Sequence, residues 1–250
     1  MLTKISNKEK LSKQHGGFGI EILYPGIIVA NTTDTGIGTI GRIDQAKVMP
    51  GTLIPMHPHR DDEILTYLRS GQVKHLDSEG ITEVISGNKL MMMNAGARFY
   101  HEELVMKEGG ILEGLQIFIR PDKSGLAPRV QFYDLPQQFS INQWRKIAGK
   151  DKDYPLEIRS DTQIQDIRLE KGSSETLPFI PSDHQSILLY VFDGAIEVNN
   201  EILLGKGESV LIEKTTPTFT ALQTSDIVLF VTAKNAPYFE RGMYSGNQKN

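Results

Sequence analysis

Three histidines and one glutamate stand in two pairs, and the members of each pair are two residues apart. His57 and His59 belong to the run HPH, and His101 and Glu103 belong to the run HEE. In a β-strand, residues two apart point to the same face, so each pair would present its side chains together. Two such strands that converge would offer three neutral nitrogens and one carboxylate. This donor set suits one divalent cation of iron, manganese, nickel, copper or zinc, and we expect a metal site here.

The elements that would carry these residues are predicted to be β-strands. The 23 glycines and 12 prolines of the 250 residues fall at short intervals between aliphatic and β-branched runs, which is typical of an all-β protein. The predicted strands cover residues 22–31, 62–76, 83–95, 111–121, 157–172, 186–204, 208–214 and 226–233. Two short helices are predicted, one in the first dozen residues and one over 141–149, where Trp144 and Ile147 would pack on one face.

A repeat of the strand pattern predicts two β-barrels in tandem. An apolar strand, a glycine turn and a second strand occur around Gly71 and again around Gly194. We interpret each copy as a meander of neighbouring strands that builds half of a small barrel. The predicted domains are residues 1–130, which contain the metal site, and 131–250, with the polar segment 122–150 as the linker. From residue 150 onward the only histidine is His184, and one imidazole cannot hold a metal site.

The composition excludes several classes of function. The formal net charge is −4, so no general basic field favours nucleic acid or an anionic membrane. The chain has no cysteine, which excludes disulfides, thiol nucleophiles, zinc fingers and iron–sulfur clusters. The apolar runs are far shorter than the roughly 18 residues that a membrane span needs, and the N-terminus lacks the apolar core of a signal peptide. We therefore expect a cytoplasmic protein with no direct nucleic-acid or membrane partner.

The histidine pairs lie within a longer stretch that resembles a known family. The segment GTLIPMHPHRDDEILTYLRSGQVKHLDS, followed by NAGARFYHEE and by EGLQIFIRP, is similar to the N-terminal cupin domain of the pirin family over roughly residues 40–121. The resemblance implies an all-β fold of two cupin barrels face to face, each a jelly roll or double-stranded β-helix. It also implies one metal, Fe(II) before Mn(II), Ni(II), Cu(II) or Zn(II), bound in the first barrel by His57, His59, His101 and Glu103, and a second barrel that has lost its metal.

Two carboxylates compete for the fourth ligand position. The general cupin pattern would use Glu63, which follows the histidine pair, whereas the pirin pattern uses Glu103. We favour Glu103 because it shares a strand face with His101, and we expect Glu63 to lie just behind the ligands.

Further residues near the site have weaker predicted roles. Gln116 would either aim its carboxamide into the pocket and orient a substrate hydroxyl or be a plain polar residue of the core. Arg60 would steer an anion or, more commonly, pair with a neighbouring carboxylate. His75 and Asp77 in KHLDS are interpreted as structural hydrogen-bonding partners.

The resemblance implies two kinds of function. The first is a dioxygenase that opens the ring of a flavonol such as quercetin, with dioxygen as the second substrate and Glu103 as the proton acceptor. The second is a non-enzymatic, redox-sensing metal protein that regulates a protein partner. We favour the enzyme because three imidazoles and one carboxylate leave a coordination position open for a substrate.

Overall fold

A computed structural model of the chain describes residues 1–28 and 32–248. The chain forms two compact units, which we call the first unit (Lys10–Gln138 with Pro237–Asn250) and the second unit (Met1–Glu9 with Phe139–Ala236). Apart from two short 3₁₀ turns, at Asn7–Glu9 and Pro25–Ile28, the regular structure of the described residues is β-strand, beginning with β1 (Leu2–Ile5) in the second unit. The predicted all-β class is confirmed.

The first unit is built on one long antiparallel sheet. Its strands are β2 (Leu11–His15), β3 (Phe18–Leu23), β4 (Ile40–Val48), β5 (Leu53–His59), β6 (Glu63–Ser70), β7 (Gln72–Asp77), β8 (Thr82–Ser86), β9 (Lys89–Asn94), β10 (Phe99–Val105), β11 (Leu112–Ile119) and β12 (Arg129–Asp134). They pair in the order β2-β3-β4-β11-β6-β9-β8-β7-β10-β5, and β12 also pairs with β9. Strand residues of alternating position, among them Ile64, Met91, Met93 and Phe99, fill the core.

The second unit contains two sheets around one apolar core. Its other strands are β13 (Arg145–Gly149), β14 (Leu156–Glu157), β15 (Thr162–Leu169), β16 (Ser174–Thr176), β17 (Gln185–Asp193), β18 (Ala195–Val198), β19 (Ile202–Gly205), β20 (Ser209–Ile212), β21 (Thr218–Ala221) and β22 (Ser225–Ala233). The sheets are ordered β1-β20-β17-β22-β15-β13-β14 and β16-β21-β18-β19. Buried residues of both sheets, including Leu189 and Phe219, form the core.

The two units share one pattern of strand pairing over eight consecutive strands. In the first unit β11 lies between β4 and β6, β6 also pairs with β9, and β10 lies between β5 and β7. In the second unit β22 lies between β15 and β17, β17 also pairs with β20, and β21 lies between β16 and β18. Strands β4 to β11 therefore correspond in order to β15 to β22, and the predicted tandem repeat is confirmed.

The predicted meander around Gly71 and Gly194 is wrong. Gly71 joins β6 to β7, which are not paired, and Gly194 joins β17 to β18, which lie in different sheets. Both glycines have positive φ, +77° and +92°. A Cβ atom at Gly71 would lie 2.5 Å from Cα of Leu112, and one at Gly194 would lie 2.6 Å from the carbonyl oxygen of Thr224. Each glycine is therefore a crowded corner between strands that do not pair, rather than a hairpin turn.

Neither predicted helix is present. The first residues form β1, which pairs with β20, a 3₁₀ turn and then β2. Residues 145–149 form β13, in which Arg145 makes an ion pair with Asp166 of β15 and Ile147 is buried. A strand is favoured over the helix because pairing with β15 buries Ile147 and also gives Arg145 an ion-pair partner.

Other boundaries also differ from the prediction. The units depart from the predicted domains 1–130 and 131–250 at both ends of the chain, because β1 pairs with β20 and because Phe239 donates to the carbonyl of Pro121. The division near the middle falls after Gln138, since β12 still pairs with β9. The strand predicted for 22–31 ends at Leu23, and its residues 29–31 lie outside the described residues. Over the described ranges, no helix is both long and apolar enough to cross a membrane.

Candidate metal centre

Strands β5 and β10 bring the three predicted histidines together. The antiparallel register places His101 opposite His57 and Phe99 opposite His59. The three rings lie 4.4 to 4.9 Å apart between centroids. Strand β5 is at the edge of its sheet, as expected from Pro58, which has no N–H to donate.

The spacing of two ring nitrogens fits a shared cation. Nε2 of His59 and Nε2 of His101 are 3.0 Å apart. Two ligand atoms that each lie about 2.1 Å from one ion, at a right angle to each other, are also about 3.0 Å apart. Burial lowers the pKa of His57 and of His101, and the neighbouring imidazoles lower that of His101 further, so both rings are neutral as metal ligands must be.

The opposite nitrogens of His57 and His101 each have a hydrogen-bond partner, whereas Nδ1 of His59 has none. Nδ1 of His57 donates to the carbonyl of Pro55 at 2.9 Å. Nδ1 of His59 lies 3.8 Å from the carboxylate of Asp62, and Nδ1 of His101 lies 3.3 Å from Nδ1 of His75. Outer partners of this kind orient metal-binding histidines.

Glu103 lies beside this cluster rather than within it. Among the described residues, one candidate group is His57, His59 and His101, and a second is His75, His101 and Glu103. Oε1 of Glu103 is 4.0 Å from Nδ1 of His101. The β5–β10 register shifts between His101 and Glu103 because β5 has an extra residue there, whereas the β10–β7 register is unbroken, so His101 and Glu103 share a face of β10.

The Glu103 carboxylate is buried, and its Oε1 has no hydrogen-bond partner. Burial raises its pKa to about 7. A buried acceptor without a partner is costly, and a cation would satisfy it. The three imidazoles fit a divalent cation, and Glu103 is a buried donor beside His101 that the structure does not group with His57 and His59.

Glu103 also lines a small cavity inside the first unit. The cavity measures about 50 Å³ and its wall is mostly apolar, with Thr66, Gln116 and Asp44 as the other polar residues. The hydroxyl of Thr66 is buried without a partner, like Oε1 of Glu103. Gln116 lines this cavity. A cavity of this size has room for a few water-sized molecules only.

Glu63 and Arg60 belong to neither histidine group. Glu63 is buried and accepts a hydrogen bond from Asn94 at 2.7 Å. Arg60 is exposed and makes no ion pair with either expected partner, Asp61 or Glu63; Oδ1 of Asp61 accepts the backbone N–H of Gly125.

A segment near the C-terminus, unnoticed in the sequence, closes one side of the cluster. The backbone N–H groups of Tyr244 and Ser245 and the Ser245 hydroxyl all donate to the buried carboxylate of Asp62. The Tyr244 ring then packs 5.2 Å from the ring of His59 and 5.4 Å from that of Phe118. No sequence signal links Asp62 to residues 182 and 183 positions later.

Comparisons with known proteins agree with this architecture. The family model described as Pirin matches residues 30–119. A Zymomonas mobilis protein, named provisionally as a quercetin 2,3-dioxygenase, is 30% identical over 189 residues, which cover 74% of this chain and 79% of that protein. A Caulobacter vibrioides protein named as pirin-like is 29% identical over 185 residues, covering 73% of this chain and 78% of that protein. The crystal structure of the bacterial pirin YhhW from Escherichia coli in complex with nickel(II) has a TM-score of 0.79 at 21% identity and covers 93% of this chain and 99% of that chain. The chain belongs to the pirin family.

Proposed function

We propose that this protein is a metal-dependent dioxygenase that opens the ring of a flavonol such as quercetin. The proposed ligands of its single divalent cation are His57, His59, His101 and Glu103. The observation that carries the proposal is the convergence of three imidazoles beside a buried carboxylate whose Oε1 has no hydrogen-bond partner. The names of relatives, quercetin 2,3-dioxygenase among them, support the same reaction class.

When bound, the cation supplies a positive charge that favours the deprotonated substrate hydroxyl and an open position for reaction with dioxygen. Glu103 would accept the hydroxyl proton, because a buried carboxyl whose pKa is near 7 is suited to proton transfer at neutral pH. The aliphatic wall beside Glu103 would keep water away from the reacting atoms.

The size of the cavity decides how the substrate would approach. A flavonol is much larger than the 50 Å³ beside Glu103. We therefore place its rings on the side of His57, which is the one partly exposed histidine of the cluster, and leave the cavity for small reactants such as dioxygen.

Iron(II) is the metal we expect first. Nickel(II) is the alternative with direct support, because it is present in the E. coli relative.

The test is oxygen uptake with quercetin by protein loaded in turn with Fe(II), Mn(II), Ni(II) and Cu(II). We expect turnover with at least one metal. Glu103→Gln should lower that turnover by ~10²-fold or more, the usual loss when a general base is removed. Glu102→Gln is the matched control, because Glu102 alternates to the other side of β10, and it should retain activity. No oxygen uptake with any of the metals and several flavonols would contradict the enzyme and favour a regulatory metal protein.

A further inference from the structure

We infer that Asp77 and His75 form a hydrogen-bonded relay that fixes the tautomer of His101. The relay holds the ring proton on Nδ1, so that Nε2 is free to bind metal. The inference rests on the proposed metal centre. It concerns two residues outside the ligand set, so both are positioning residues.

The relay is a chain of three buried side chains on the neighbouring strands β7 and β10. The carboxylate Oδ2 of Asp77 lies 2.8 Å from Nε2 of His75. Nδ1 of His75 lies 3.3 Å from Nδ1 of His101. The strand register holds these residues in place, because His101 is opposite Asp77 and Glu103 is opposite His75. All three side chains are almost fully buried.

The direction of each hydrogen bond follows from the carboxylate. An ionised carboxylate can only accept, so Nε2 of His75 must carry the proton that it donates to Asp77. The relay requires one proton only on His75, which leaves its Nδ1 bare to accept from Nδ1–H of His101 at 3.3 Å. With its proton on Nδ1, the neutral ring of His101 presents an unprotonated Nε2 toward His59. A metal ligand needs that lone pair.

The other oxygen of Asp77 makes a sharp test possible. Its Oδ1 accepts the backbone N–H groups of Glu79 at 2.9 Å and of Ile81 at 3.0 Å. In Asp77→Asn, these two donors would hold the amide oxygen at the turn and direct the amide NH₂ toward His75. His75 would then accept at Nε2 and donate from Nδ1. His101 would have to accept at Nδ1 and would carry its proton on Nε2, where it blocks metal binding.

A second substitution provides the matched control. In His75→Gln, the amide NH₂ can donate to Asp77 while the amide oxygen accepts from Nδ1–H of His101, so the relay keeps its direction. In His75→Phe, the relay is removed altogether. We expect nickel(II) affinity to fall by about 10- to 100-fold in Asp77→Asn and in His75→Phe, the range found for outer partners of metal ligands, and to stay within a few-fold in His75→Gln.

The decisive readout does not need the metal. Nitrogen-15 NMR of the metal-free protein distinguishes a protonated from an unprotonated ring nitrogen. We expect Nε2 of His101 to be unprotonated in the wild type and in His75→Gln, and protonated in Asp77→Asn. His57 is the internal reference, because its Nδ1 donates to Pro55 in all variants.

Three results would overturn the relay. These are a protonated Nε2 of His101 in the wild type, an unchanged His101 in Asp77→Asn, and an equal loss of nickel affinity in His75→Gln and Asp77→Asn. If the wild type binds no metal, the proposed centre fails, but the NMR measurement still decides the relay by itself.

Discussion

Glu103 of the first unit and Phe219 of the second unit occupy equivalent positions in the repeated strand pattern. Glu103 lies opposite His75, which follows the corner at Gly71 by four residues. Phe219 lies opposite Val198, which follows the corner at Gly194 by four residues. Where the first unit has a carboxylate and an imidazole, the second unit has two buried apolar side chains. One backbone arrangement thus supports a polar site in one copy and a continuous core in the other.

The difference shows what a binding site costs the fold. Phe219 and Val198 contribute apolar burial to the second unit. At the same positions, the first unit has a buried carboxylate without a partner for one oxygen and a histidine that needs Asp77 as its partner. The first unit therefore has less favourable core packing at the proposed metal centre.

The largest expected effect comes from changing the equivalent residues themselves. Phe219→Ala should destabilise the second unit by about 3 to 5 kcal/mol, because it leaves a cavity in a close-packed core. Glu103→Leu should stabilise the metal-free first unit by about 1 to 3 kcal/mol, because it removes an unpaired buried acceptor. Hydrogen exchange of β22 and β11 amides reports on each unit separately.

Glu102→Leu, which changes the partly exposed neighbour, is the control and should give no such gain. A loss of stability in Glu103→Leu as large as that in Phe219→Ala would show that the two positions are equivalent in energy as well as in place. That result would refute the comparison.

The sequence predicted what depends on local spacing. The HPH and HEE pairs gave the two strands and the histidine cluster, because period-two alternation is a local property. It did not predict that Glu103 lies opposite His75, since that contact depends on how β10 pairs with β7.

Long-range contacts account for the other errors. The spacing of Trp144 and Ile147 fits a helix, but pairing with β15 makes the segment a strand. The glycines at 71 and 194 were identified as turns, but a turn glycine does not reveal whether the next strand pairs with the last one. The contact between Asp62 and the segment around Tyr244 joins distant parts of the chain and has no local pattern.

The two glycine corners should respond alike. Gly71→Ala and Gly194→Ala should each destabilise their own unit by about 1 to 3 kcal/mol, because a side chain must adopt positive φ and also meets backbone atoms. Gly80→Ala and Gly172→Ala are matched controls with φ of +81° and +84° and no atom within 4 Å of the new Cβ. These two control substitutions should lower the stability of their units by less than the substitutions at the corners. Equal losses at all four positions would show that crowding at the corners is unimportant.

The smallest expected effect concerns the segment around Tyr244, which belongs to the first unit. Tyr244→Leu should lower the stability of the first unit by about 0.5 to 1.5 kcal/mol, the contribution of an aromatic pair such as Tyr244 with Phe118. The second unit should be unchanged, as measured by hydrogen exchange of β17. Protection lost equally in β6 and β17 would contradict a local role.

The most direct test of the central claim is the number of metal ions per chain in protein purified without chelator. The wild type should bind one ion, His101→Ala should bind none, and His184→Ala, which changes an exposed histidine of the second unit, should still bind one. Far-ultraviolet circular dichroism should show that all three proteins are folded. Full occupancy in His101→Ala, or loss of the ion in His184→Ala, would contradict a single metal centre in the first unit.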